Sequence, residues 1–105
     1  MEILQLVTTN ILNNKPPKIY TYKIVKTYPH DITSYTQGLE FFNNTLYEST
    51  GLLGFSSLRK VDYKTGAVLK QHNLPKDVFG EGLTIYGDQL YQLTWQSGFG
   101  YIYDL

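Results

Sequence analysis

The stretch Thr36–Phe55, TQGLEFFNNTLYESTGLLGF, comes back 44 residues later as Gly80–Phe99, GEGLTIYGDQLYQLTWQSGF. Without a gap, seven of the twenty positions agree: Gly38/Gly82, Leu39/Leu83, Leu46/Leu90, Tyr47/Tyr91, Thr50/Thr94, Gly54/Gly98 and Phe55/Phe99. The turns coincide as well. Asn43-Asn44 in one copy and Gly87-Asp88 in the other each sit as two residues between strand-like runs, the mark of a tight hairpin.

A period of 40 to 45 residues with four strands per unit is the spacing of β-propeller blades. The first copy supplies all four strands, expected near 39–42, 45–49, 57–62 and 67–72. The last two are joined through DYKTG, where Gly66 suits a left-handed turn position. The second copy supplies three strands before Leu105. IYTYKIVKTY, over 19–28, reads as a further strand of the kind that completes the last blade and hides a propeller's open edge. The expected fold is therefore an all-β partial β-propeller of about eight antiparallel strands. It consists of a closing strand (19–28), one complete blade (36–75) and most of a second (79–105): a piece of a longer protein, or a chain that needs partners or self-association to cover its exposed edges.

The rest of the composition narrows function by exclusion. In 105 residues, nine Lys and Arg balance nine Asp and Glu, so no charged face points to nucleic acid or an anionic membrane. There is no cysteine for disulfides, thiolate metal sites or a thiol nucleophile. His30 and His72 lack ligand spacing, which argues against a metal. Pro29-His30-Asp31 and the sequon Asn43-Asn44-Thr45 are explained by turns. No apolar run approaches the ~18 residues of a membrane span. The opening segment, 1–18, reads as a linker or short helix stopped by Pro16 and Pro17; Glu2 stands where a signal peptide carries positive charge.

Register then points to a site. Gln37 and Glu81 occupy equivalent places at the entrance to each blade's first strand, the one beside the propeller axis. Both should face one mouth of the central channel, with flanking glycines allowing close approach.

The motifs YPHDITSYTQGLEF, LYESTGLLGFSSLRKVD, FGEGLT and YQLTW, in this order, resemble the plant- and bacterial-type glutaminyl-peptide cyclotransferases over about Tyr20 to Leu105. The resemblance implies a five-bladed propeller, here missing three blades' worth of chain, and a secreted or periplasmic location for the whole protein. It implies that an N-terminal glutamine of a peptide or protein is cyclised to pyroglutamate with release of ammonia, without metal or cofactor. Glu81 matches the family's proposed proton shuttle, and Gln37, in TQGL, matches a residue lining the substrate site. Tyr35 stands where the family usually has Phe, while Phe79 and Trp95 match aromatic site residues. The family's asparagine, lysine and further tryptophans belong to later blades. The chemistry suits these residues: the substrate amine attacks its own side-chain amide, and one carboxyl can take a proton from the amine and give one to the leaving nitrogen. A reading of another class is a non-catalytic propeller segment that binds peptide or glycan, since fold alone does not establish chemistry.

Overall fold

The structure, a computed structural model, describes residues 14–105. Of the linker or short helix expected over 1–18, residues 1–13 fall outside them, and 14–18 are not helical. Seven strands and no helix are found among the described residues: β1 (Thr36–Phe42), β2 (Thr45–Thr50), β3 (Ser57–Val61), β4 (Val68–Asn73), β5 (Gly80–Tyr86), β6 (Gln89–Thr94) and β7 (Gly100–Asp104). They form two antiparallel meanders, a four-stranded sheet β1-β2-β3-β4 and a three-stranded sheet β5-β6-β7. These are the expected complete blade and three-quarters of the next. The expected count of about eight strands is reduced by one, because residues 19–28 pair with no sheet strand here, and Ile19, Tyr22 and Val25 are fully exposed.

Both predicted hairpins form, with Phe42 opposite Thr45 and Tyr86 opposite Gln89. Their turns differ in kind. Asn43 (φ 47°) and Asn44 (φ 58°) are both left-handed, the pattern of a type I′ turn; in the second only Gly87 is (φ 64°), the pattern of type II′. Gly66 is needed twice over: its φ is 75°, and a Cβ there would stand 2.7 Å from the Pro29 carbonyl oxygen.

The gapless match between the copies breaks inside the second loop. Thr50 stands opposite Ser57, which leaves six loop residues, 51–56. In the other sheet Leu93 stands opposite Gly100; continuing that ladder puts Thr94 opposite Phe99 and leaves four, 95–98. The first four loop residues correspond, with positive φ at the second (Leu52, Gln96) and fourth (Gly54, Gly98) places. Phe55 and Ser56 are thus an insertion in the first copy, and the Phe55/Phe99 identity is a coincidence of the alignment.

The inner strands β1 and β5 lie side by side, and the sheets meet face to face around Leu90, Tyr47, Val61, Leu74 and Val78, all buried. Polar ties fix the packing. The Ile85 amide donates to Glu40 Oε2 at 2.9 Å, the Gly80 amide to Ser56 Oγ at 2.9 Å, and Gln92 Nε2 to Ser49 Oγ at 2.7 Å.

Candidate active site

In β1, Thr36 pairs with Thr50 and Gly38 with Ser49, so Gln37 is the extra residue of a β-bulge. In β5, Gly80 pairs with Thr94 and Leu83 with Gln92, so Glu81 and Gly82 share one partner residue. The two units bulge at the same place, one residue inside the strand rather than at its entrance. Bulges re-aim side chains and occur often beside active sites. They also meet: a Cβ on Gly38 would stand 2.7 Å from the Leu83 nitrogen and 3.1 Å from Gly82 Cα. Only a glycine lets the axial strands approach this closely, which brings Gln37 and Glu81 onto neighbouring strands at one end of the molecule.

The three aromatic candidates gather at the same end. Tyr35 and Phe79 meet edge-to-face with centroids 6.3 Å apart, and Phe79 meets Trp95 in the same manner at 5.8 Å. Each hairpin is extended toward this end by one more bond, Gly51 N–H to the Tyr35 carbonyl at 2.8 Å and Trp95 N–H to the Phe79 carbonyl at 3.0 Å. Gly51 and Trp95 are equivalent positions with opposite uses. A Cβ on Gly51 would stand 2.5 Å from Phe79 Cε1 and 3.0 Å from Gln37 Cγ, so the first blade's glycine makes room for the second blade's ring. Trp95 is 53% exposed and does not fill the space between the sheets.

Glu81 and Gln37 are half-buried, and neither side chain has a hydrogen-bond partner among the described residues. A carboxyl and an amide, both uncommitted, stand beside an aromatic wall. That arrangement can hold an amide-bearing substrate and move its protons.

Sequence reasoning missed the residues that fix the approach to β1. Glu48 is 1% exposed, and its Oε1 accepts from Thr36 Oγ1 at 2.5 Å and meets His30 Nε2 at 2.9 Å. Thr36 lies between Tyr35 and Gln37, so this buried carboxylate anchors the strand where the site begins. Arg59 holds the preceding turn, donating to Asp31 Oδ2 at 3.0 Å, to the Ser34 hydroxyl, and to Ser57 Oγ at 3.0 Å. Asp31 is lowered to about 2, mainly because the Thr33 hydroxyl and amide donate to its carboxylate, with a smaller contribution from Arg59. Of Pro29-His30-Asp31 only Asp31 belongs to a turn, which runs on to Ser34, while His30, itself exposed, is paired with the buried Glu48. A signal was present in the repeat: Glu48 corresponds to Gln92, also 1% exposed, so both copies place a long polar side chain at one inward position of the second strand.

Paired antiparallel sheets around an axis define a sector of a β-propeller, with an acid and an amide at matched bulges of the axial strands as its candidate site. A glutamine cyclotransferase family model matches residues 1–105, and the chain belongs to that family. It is 46% identical over 89 residues to the glutaminyl-peptide cyclotransferase of Arabidopsis thaliana, a match covering 84% of this chain and 28% of that protein. Its fold is similar to the crystal structure of Myxococcus xanthus glutaminyl cyclase, with a TM-score of 0.70 and 34% identity over 78% of this chain and 34% of that one. The chain therefore spans well under half the length of the relatives it matches.

Proposed function

We propose that the protein carrying this chain converts the N-terminal glutamine of peptides into pyroglutamate and releases ammonia, and that Glu81 is its proton carrier. The matched bulges support this reading most strongly, because they set one carboxyl and one amide on touching axial strands beside Phe79 and Trp95. Glu81 takes a proton from the substrate α-amine as it attacks the side-chain carbonyl carbon. The new C–N bond closes a five-membered ring, the C–N bond to the amide nitrogen breaks, and that nitrogen leaves as ammonia after accepting a proton from Glu81. Gln37 hydrogen-bonds the substrate amide, while Tyr35, Phe79 and Trp95 form the apolar wall. Proximity supplies much of the rate, since the reaction is intramolecular. The other half of the pocket comes from further blades, the last completed by residues 19–28.

The experiment is ammonia release from a Gln-initiated peptide by the full-length protein, with an Asn-initiated peptide as control. Release from the Gln peptide alone is expected. Equal release from both, or none from either, would sink the proposal.

A further inference from the structure

The six-residue loop between β2 and β3 has features that the packing of the two sheets does not require. It is two residues longer than its counterpart, and insertions in one repeat of a propeller fall on loops that often form the binding face. It exposes three large apolar side chains, Leu52, Leu53 (56%) and Phe55 (77%). Leu52 has φ 78°, a left-handed conformation that it shares with Gln96 at the matching place, but here the occupant is a bulky apolar residue, for which that conformation is strained. Strain of this kind persists only where the surroundings hold it, and it clusters at ligand clamps.

What holds it leads to the site. The inserted Ser56 is buried; its hydroxyl donates to the Leu52 carbonyl at 2.8 Å and accepts from the Gly80 amide at 2.9 Å. Gly80 precedes Glu81 in the chain. At its other end the loop begins at Gly51, against Phe79 and Gln37. The exposed leucines and Phe55 are therefore fastened at both ends to the candidate active site. Beside the loop opens a cavity of about 730 Å³, lined by Tyr35, Leu52, Phe55, Asn73 and Lys76 among others. No carboxylate lines it; Arg59, also at its wall, is held by Asp31.

We infer that this loop binds the residue that follows the N-terminal glutamine, and that it selects substrates with a bulky apolar side chain there. The inference rests on the reaction proposed above and names its substrate class. A cationic residue at that position is disfavoured, because the wall offers it Lys76 and no acid.

The test compares Gln-Phe-Ala, Gln-Gly-Ala and Gln-Lys-Ala with the full-length protein and with its Leu52→Asn/Leu53→Ser/Phe55→Ser variant. Asn tolerates positive φ, so this variant relieves the strain and should fold. For the unaltered protein kcat/KM should rank Phe over Gly over Lys, with Phe about tenfold above Gly, as one apolar side chain in a pocket allows. In the variant the advantage of Phe should vanish while turnover of Gln-Gly-Ala is kept. Equal rates for Phe and Gly in the unaltered protein, or an equal loss on both peptides in the variant, would overturn the inference. Calorimetric binding of the same peptides to Glu81→Gln protein separates it from the proposed chemistry. Preference for Gln-Phe-Ala in binding, with no turnover of any of the peptides by the unaltered protein, would leave the loop's role standing and the reaction refuted, and equal affinities would refute the loop's role.

Discussion

Thr36–Phe55 and Gly80–Phe99 follow one backbone plan, hairpin, axial bulge and outer loop, but carry different chemistry at matched positions. Gln37 answers Glu81 at the bulge, Gly51 answers Trp95 at the loop, and buried Glu48 answers buried Gln92 in the second strand. The shared features are those that backbone geometry demands. The differing ones lie where side chains of the two units face the same site or the same interior. Repetition thus supplies the scaffold, and divergence within it supplies a candidate site that no single blade could hold.

Making the bulges alike should have the largest effect. Glu81→Gln gives both axial strands a glutamine, keeps the side chain's shape and removes the proposed proton carrier. In the full-length protein kcat for a Gln peptide should fall by about 10²–10⁴-fold with substrate affinity nearly unchanged. Steady-state kinetics with a parallel binding measurement checks this, and turnover like the parent's would refute the assignment of Glu81. Trp95→Ala, which makes the loop position resemble Gly51, should instead raise KM, since it removes a wall and leaves the proton carrier in place.

The buried pair in the second strands is the next comparison to break. Gln92 donates to Ser49 and accepts from the Tyr103 hydroxyl at 2.9 Å, so its site provides for a neutral amide. Gln92→Glu would bury a carboxylate without a cation and should cost about 3 kcal/mol or more at neutral pH. The cost should shrink as pH falls and the new carboxyl protonates. Glu48→Gln keeps an acceptor for Thr36 and His30 and should cost only about 1 kcal/mol. Denaturant melts of both variants decide it; equal losses would show that the two positions are the same after all.

These contrasts also explain what could be read in advance. Repeat spacing and two-residue turns revealed both meanders and their hairpins, because strand period and turn chemistry are local. Gln37, Glu81 and the three aromatics converge because their register in the repeat is a spatial coordinate in a propeller. The insertion of Phe55 and Ser56 stayed hidden because a chance Phe at position 99 and the shared Gly54/Gly98 kept the gapless alignment in frame. His30–Glu48 and Asp31–Arg59 were also hidden: each joins the chain before β1 to a later strand, and no local pattern marks such a pair.

The smallest expected effect concerns the partner that each buried side chain has chosen. Glu48 faces an imidazole, whereas Gln92 faces a phenol, Tyr103, whose ring also meets His72 edge-to-face at 5.8 Å. Tyr103 is pushed up to about 12, first by burial and then by the neighbouring Tyr101. A folded-state value raised above the ordinary 10 means that the folded protein holds this proton more tightly than the unfolded chain does. The stabilisation is complete below pH 10 and is lost as pH rises from 10 through 12. Phenolate absorbance should therefore show a tyrosine that ionises well above the ordinary 10, with stability declining across that interval. Because the ring is only partly buried, the decline should be modest. Tyr103→Phe, which leaves the Gln92 oxygen without its donor, should remove both the late phenolate step and its share of the alkaline decline. If that variant titrated and melted like the parent above pH 10, the late phenolate would not be that of Tyr103, and burial at this end of the Gln92 pair would contribute no alkaline-sensitive stability.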